Sequence, residues 1–167
     1  MAMVAFSTIA GERAFDETRF ILAPPGASLP SDAYGFFEFY CNDPACDCRR
    51  VIFQVWRKST GKKVWATITY GWESPEYYAR WGPHVPKPEA EQMSGATLEQ
   101  ISPQTELSQE LLEAFRGILQ TDPAYVARLQ RHYHETCPSR TRLDRTKPPA
   151  KLPAKILRRL RERRRRK

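Results

Sequence analysis

The chain has 167 residues, enough for one domain with short extensions, and 41% of them are hydrophobic, which is sufficient for a buried core. No run of eighteen or more apolar residues occurs, and the first residues lack a basic signal-peptide segment, so neither a transmembrane helix nor secretion is expected. The net charge of +8 is unevenly distributed: residues 139–167 carry 14 Lys and Arg against two acids, whereas residues 1–138 are slightly acidic. Charge-driven binding of a polyanion is therefore expected from the C-terminal tail.

The first half of the chain is predicted to form an antiparallel sheet. Residues 1–18 show no clear period and are interpreted as a loose arm or an edge strand. Short runs rich in aromatic and β-branched residues predict strands over 19–23, 34–41, 50–56 and 63–70. Short loops join the last three of these strands, which predicts a three-stranded antiparallel meander.

The second half is predicted to be mainly helical. Ser74-Pro75 is a typical helix start, and the prolines of 83–104 predict a loop. Apolar residues at helical spacing over 107–119, followed by Asp122-Pro123, predict two further helices, the last running toward Cys137. The predicted fold class is α+β: a meander with a metal-clamped hairpin loop, covered by two or three C-terminal helices, within one domain.

Three of the four cysteines lie in the loop between the second and third strands of the sheet. Cys41, Cys46 and Cys48 have the spacing C-x4-C-x-C, and Asp43-Pro44 favours a turn between them. In the reducing cytoplasm, clustered cysteines bind metal more often than they form disulfides. The spacing therefore predicts three thiolate ligands for a structural metal, with zinc as the expected ion.

A tetrahedral ion needs a fourth ligand from elsewhere in the chain. The last predicted helix offers His132, His134 and Cys137, and His84 is a more distant candidate. At about 100° per residue, His132 and Cys137 flank the apolar side of that helix, whereas His134 points further away. The helical geometry leaves His132 and Cys137 equally placed.

The cysteine sequence resembles a motif found in small bacterial proteins of unassigned function. Residues 40–50, Y-C-N-D-P-A-C-D-C-R-R, are similar to the pattern Y-C-x-[DN]-P-x-C-D-C-R of those proteins, some of which also carry an SEC-C zinc-binding motif. The resemblance implies that Cys41, Cys46 and Cys48 are ligands, and it favours His132 over Cys137 as the fourth. It implies no activity, because those proteins have no established one. The SecA-type interaction attached to the SEC-C motif is not expected either, because this chain has no separate SEC-C motif.

The tail over 139–167 is predicted to be mostly disordered, because its composition cannot bury enough apolar surface to fold alone. Its basic run would attract RNA or DNA through phosphates, and a membrane surface or an acidic protein are the alternatives. The expected nucleic-acid contacts are Arg158, Arg159, Arg161, Arg163, Arg164, Arg165, Arg166 and Lys167.

The aromatic residues of the chain allow two interpretations. Strand and helix aromatics can be core residues, or they can form a surface on which bases stack. Core packing is the favoured interpretation, with an exposed sheet face around Trp65 as the alternative. The set consists of Trp56, Trp65, Trp72, Tyr77, Tyr78 and Trp81.

No common catalytic motif is present in the sequence, which contains no nucleophile elbow, P-loop or H-E-x-x-H pattern. The first hypothesis is therefore a non-enzymatic, zinc-stabilised cytoplasmic module whose tail binds nucleic acid or a ribonucleoprotein. The alternatives are a small zinc-dependent enzyme acting at Cys41, Cys46 and Cys48, and a protein–protein adaptor. The oligomeric state is left open.

Overall fold

The computed structural model describes residues 3–81 and 85–138, and this part of the chain contains an antiparallel six-stranded sheet. Strand β3 pairs with β1 and β2 along one edge and with β4 along the other, and β5 and β6 follow in order. The strands are β1 Met3–Ala5, β2 Arg19–Ala23, β3 Asp32–Cys41, β4 Arg50–Arg57, β5 Val64–Gly71 and β6 Gly95–Leu98.

Six helices accompany the sheet in the described part. They are α1 Phe6–Ala10, α2 Glu12–Asp16, α3 Pro75–Ala79, α4 Lys87–Met93, α5 Ser108–Thr121 and α6 Pro123–Thr136. Ser74 and Asp122 cap α3 and α6 as the sequence predicts, each accepting a backbone N–H three residues later, with proline in the first turn. In the described part of the chain, every helix is too short or too polar to cross a membrane.

The two faces of the sheet have different surroundings. Residues that oppose one another across antiparallel strands share a face, so the inner face follows from the register. Helix α5 covers this face with Phe115, whose ring lies 5.3 Å from that of Phe36 and 4.7 Å from that of Phe53. Helix α6 adds Leu129. The fully buried inner-face side chains are Tyr34, Phe36, Tyr40, Val51, Phe53, Val55, Ala66 and Ile68.

The α+β prediction is confirmed, and the meander of β3, β4 and β5 lies within a larger sheet. Strand β1 lies at an edge of the sheet, within the segment interpreted as a loose arm or an edge strand. Strand β6 was not predicted, because four residues carry too little alternation to be recognised. The prediction of a loop over 83–104 is wrong for 87–93 and 95–98, which form α4 and β6. Residues 3–16 hold a strand and two helices, and Phe6 at the start of α1 is buried.

Gly71 is where helices α3 and α4 approach the end of β5 most closely. A Cβ atom added at Gly71 would lie 2.1 Å from the Met93 carbonyl oxygen and 2.4 Å from the Tyr78 hydroxyl. Both neighbours belong to packed elements. Glycine is therefore required at position 71 because a side chain has no space there. The φ angle of Gly71 is not the reason.

Gly71→Ala is expected to destabilise the protein by about 1–3 kcal/mol, because backbone and a buried tyrosine have to move to accept a methyl group. Urea unfolding measures the change. The matched control is Gly117→Ala within α5, where an added Cβ meets nothing within 4 Å. This control is expected to raise stability by about 0.5–1 kcal/mol. Equal stabilities of the two variants would contradict the packing argument.

Candidate metal centre

The loop between β3 and β4 brings the three predicted thiol ligands together. Cys41 is the last residue of β3, Cys46 lies in the loop, and Cys48 comes two residues before β4. Their sulfur atoms all lie within 4.8 Å of one another, and all three side chains are buried. This group could hold a metal ion.

Asp43 shapes the loop so that Cys46 returns toward the strand ends. Its carboxylate accepts the Ala45 N–H at 2.8 Å, and its carbonyl accepts the Cys46 N–H at 3.1 Å. Pro44 fixes its own φ inside this turn. The turn therefore reverses the chain directly before the second cysteine, as the Asp-Pro sequence predicts.

Three tyrosine hydroxyls hold the backbone around Cys48. Tyr77 donates to the carbonyl of Asp47 at 2.7 Å, and Tyr78 donates to the carbonyl of Arg49 at 2.9 Å. The N–H of Arg49 donates to the hydroxyl of Tyr133 at 3.2 Å. Helices α3 and α6 are thus both attached to the loop, and buried loop backbone gains the partners that it needs.

Arg49 is the one described non-glycine residue with a positive φ, at 47°. This left-handed backbone is unfavourable for a side chain with a Cβ. The guanidinium makes two 3.1 Å hydrogen bonds to Asp47 and one of 2.8 Å to Glu73, and it lies over the Tyr77 ring. Burial disfavours its charge, yet these hydrogen bonds raise the pKa of Arg49 above its ordinary value. The contacts therefore offset the backbone strain.

The electrostatics of the thiol group favour a cation. Burial first, and then the adjacent Cys48 and Cys41 sulfurs, together raise the pKa of the Cys46 thiol to about 12. Three adjacent thiolates repel one another, so the group keeps its protons unless a positive charge lies between the sulfurs. A divalent cation supplies that charge and releases the protons.

His132 lies away from the thiols, in a buried cluster of its own. Its Nδ1 is 2.7 Å from a Glu38 carboxylate oxygen, its Nε2 is 2.9 Å from a Glu17 oxygen, and its ring stacks on Phe6 at 3.9 Å. Both ring nitrogens are thus engaged by carboxylates. It is also not among the mutually adjacent ligand atoms. This geometry argues against His132 as the fourth ligand.

Cys137 remains the candidate on the last helix. It is buried and forms the C-cap of α6, four residues after Tyr133, which contacts the cysteine loop. Residues four apart lie on the same side of a helix. Cys137 therefore lies at the end of α6 on the side that faces the loop. Its sulfur is not among the three that lie within 4.8 Å of one another.

Of the remaining predicted residues, only His134 lies in the described part of the chain, and it is not part of the thiol group. His134 is exposed and borders a 210 Å³ polar cavity beside the loop, together with Arg49, Glu73 and Tyr133. His84 and the predicted nucleic-acid contacts of the tail lie outside the described residues. Those contacts are Arg158, Arg159, Arg161, Arg163, Arg164, Arg165, Arg166 and Lys167.

Sequence reasoning did not find the tyrosines that support the loop. Tyr77 and Tyr78 were interpreted as core or surface aromatics, and the structure shows them buried with their hydroxyls on the loop backbone. The two tyrosines follow a helix cap in the sequence, and this position does not predict the role. A hydrogen bond to a backbone group about 30 positions away produces no local sequence pattern.

Comparisons with known protein families, with curated proteins and with solved structures find no significant match to the chain. The resemblance to the bacterial cysteine-motif proteins therefore stays a hypothesis drawn from the sequence. What the structure defines is an α+β protein with a group of three buried cysteines in a hairpin loop that could hold a metal ion.

If the thiol group holds zinc, Tyr78→Phe is expected to weaken zinc binding about 10- to 100-fold, because the loop backbone loses a group that orients the ligands. Competition with a chromophoric chelator measures the affinity. Tyr34→Phe is the matched control, since its buried hydroxyl donates to the Pro30 carbonyl at 2.9 Å, away from the loop. Each variant loses about 0.5–1.5 kcal/mol of stability. Equal zinc affinities would show that Tyr78 has no part in the site.

Proposed function

We propose that the protein is a non-catalytic binding module whose hairpin loop is stabilised by a structural zinc ion. The observation that carries this proposal is the group of three buried sulfurs within 4.8 Å of one another. Thiolates are soft ligands that zinc prefers, and a structural zinc site takes four protein ligands in a closed shell. Zinc binding would then contribute directly to the free energy of folding.

The surroundings of the sulfurs favour a structural role over a catalytic one. Water activation at a metal needs a nearby base that is free to accept a proton. Both oxygens of Asp47 are bonded to the guanidinium of Arg49, and Asp43 accepts backbone N–H groups in its turn. The cavity beside the loop is lined by none of the three cysteines. These contacts support a site without access for a substrate.

Cys137 is the proposed fourth ligand, in place of His132. A thiolate from the end of α6 would complete a shell of four cysteine ligands and connect the last helix to the hairpin. The buried position of Cys137 and its register with Tyr133 support this assignment. A site built from cysteine thiolates also agrees with a reducing compartment, and we place the protein in the cytoplasm on that ground.

The tail is the proposed contact for nucleic acid. Fourteen Lys and Arg against two acids over 139–167 give a polyanion ligand a strong electrostatic attraction without base-specific contacts. RNA, including RNA within a ribonucleoprotein, is the ligand that we favour. In this arrangement the zinc-stabilised domain carries the basic tail directly after its last helix.

Cys46→Ser is expected to remove stoichiometric zinc and to lower the Tm by about 10 °C or more, because losing the ion costs several kcal/mol in a domain of this size. Metal analysis and a thermal melt of the same sample measure both effects. Unchanged zinc content would overturn the metal assignment. A chelating inhibitor that occupies the metal without unfolding the protein would support the zinc-enzyme alternative instead.

Cys137→Ser and His132→Gln form a pair that identifies the fourth ligand. Both replace a buried side chain in or next to α6, and both are expected to lower stability. Only Cys137→Ser is expected to weaken zinc binding, whereas His132→Gln keeps the wild-type affinity. Cobalt substitution adds a second readout, since loss of a thiolate reduces the charge-transfer absorption. The opposite pattern would restore His132 as the ligand.

Replacing Arg163, Arg164, Arg165 and Arg166 together by Gln is expected to weaken RNA binding by the full-length protein and to flatten its salt dependence. Each lost phosphate contact reduces the slope of log K against log salt by about 0.7 to 0.9. Fluorescence anisotropy at several salt concentrations measures the slope. A slope equal to that of the wild type would show that the tail does not bind phosphates.

A further inference from the structure

We propose that the outer face of the sheet binds single-stranded nucleic acid by stacking bases on a cluster of aromatic rings around Phe37. This proposal deepens the nucleic-acid binding proposed above and rests on it for the class of ligand. The two modes of binding differ in mechanism. The tail would attract phosphates by charge alone, whereas this face would stack bases on aromatic rings.

The rings form a connected group, called here the Phe37 patch, made of Phe15, Phe20, Phe37 and Trp56. Phe37 stacks on Trp56 at 4.1 Å, and the rings of Phe20 and Phe15 lie edge-on to it at 6.2 and 6.5 Å. Phe15 is 57% exposed and Phe20 is 49% exposed, while Phe37 and Trp56 are half-buried. Exposed clusters of this kind mark interaction surfaces.

Gly35 makes room for this arrangement. A Cβ atom at this position would lie 2.7 Å from the Phe20 ring and 2.9 Å from the Phe37 ring. Without a side chain there, the ring of Phe20 lies over β3 and reaches Phe37. The patch is therefore continuous across three strands, β2, β3 and β4.

Two hollows flank the stacked pair of Phe37 and Trp56. One has a volume of about 280 Å³ and a nearly apolar lining that includes Phe20 and Lys58. The other has a volume of about 190 Å³ and lies between the patch and helices α1 and α2. Lys62 borders both hollows. Each hollow thus offers aromatic ring surface with a cation at its edge.

The charges on this face fit a polyanion. The described strand residues of the outer face include no Asp or Glu, and they include Arg50. Lys58 and Lys62 are exposed at the edge of the patch. The carboxylate of Glu38, which borders the smaller hollow, is bonded to Tyr40 and His132. Helix α2 adds two exposed acids, Glu12 and Asp16, the second directly after Phe15 in the chain. Aromatic rings bordered by cations are the features of a single-strand binding surface.

A second copy of the chain is a poorer occupant of the face. Two copies joined on a two-fold axis close to Lys58 and Lys62 would bring like charges together, and the strand residues of this face offer no carboxylate to pair with them. A helix or peptide of apolar character would leave the same cations unpaired. A single-stranded nucleic acid offers bases to the aromatic rings and phosphates to the lysines.

The test compares Phe20→Ala with Ile101→Ala in the full-length protein, using a fluorescein-labelled oligouridylate as the probe. Ile101 is 95% exposed and lies outside the patch, so it controls for the loss of exposed apolar surface. Phe20→Ala is expected to weaken binding about 5- to 100-fold with an unchanged salt slope, because stacking is not ionic. Ile101→Ala is expected to bind as the wild type does.

Lys62→Gln and Lys87→Gln form a second pair that is independent of any effect of Phe20 on folding. Both lysines are exposed, and Lys87 lies on α4, away from the patch. Lys62→Gln is expected to reduce the salt slope by about 1, whereas Lys87→Gln leaves it unchanged. Thermal melts confirm that each variant is folded before binding is measured.

Four outcomes would overturn the proposal. Wild-type affinity in both Phe20→Ala and Lys62→Gln, with binding lost in the tail variant, would leave the tail as the sole contact. Lack of oligouridylate binding by the wild type would overturn both nucleic-acid proposals together. Equal affinity for duplex RNA of the same length would exclude base stacking. A wild-type dimer that Phe20→Ala converts to monomer would identify the face as an interface between copies.

Discussion

The burial of three thiol groups at the end of the longest strand is the constraint on which the surrounding structure depends. Cys41, Cys46 and Cys48 lie where the chain reverses between β3 and β4. Backbone groups of this loop are buried together with the cysteine side chains and need hydrogen-bond partners. Helix α3 and helix α6 provide the hydroxyls that satisfy that backbone. The loop is therefore the point at which the sheet and two separate helices are joined. A metal bound in this loop would stabilise the attachment of the sheet, α3 and α6 to one another.

Much of the fold follows from local patterns in the sequence. The alternation in β3, β4 and β5 and the caps at Ser74 and Asp122 are local features, and the structure contains them all. The partners of His132 could not be predicted in this way, because Glu38 and Glu17 lie 94 and 115 positions from it. A histidine on the apolar side of a helix is compatible with a metal ligand or with a buried residue that is hydrogen-bonded to carboxylates. A single sequence does not distinguish the two.

The two faces of the sheet differ in how far their aromatic rings are covered. The inner face packs closely under α5 and α6, with Phe115 placed among Phe36 and Phe53. The outer face keeps half-exposed rings at Phe37 and Trp56, although a solvated face of an antiparallel sheet is usually polar. Aromatic enrichment in the strands indicates only that rings are present. Which rings are covered depends on where the helices pack. Trp65 is buried, in agreement with core packing and against the alternative of an exposed face around it.

The stacking of Phe6 on His132 has a consequence for the order of folding. It joins the first helix to the last, and Glu17 and Arg131 add an ion pair across the same junction. During synthesis the ribosome releases the hairpin and its thiols well before the residues that close this junction. Contacts between such distant positions form late, because a long loop has to be closed first. The N-terminal strands can pair with β3 once that strand has been made, whereas the contacts of this segment with α6 have to wait for the end of the domain.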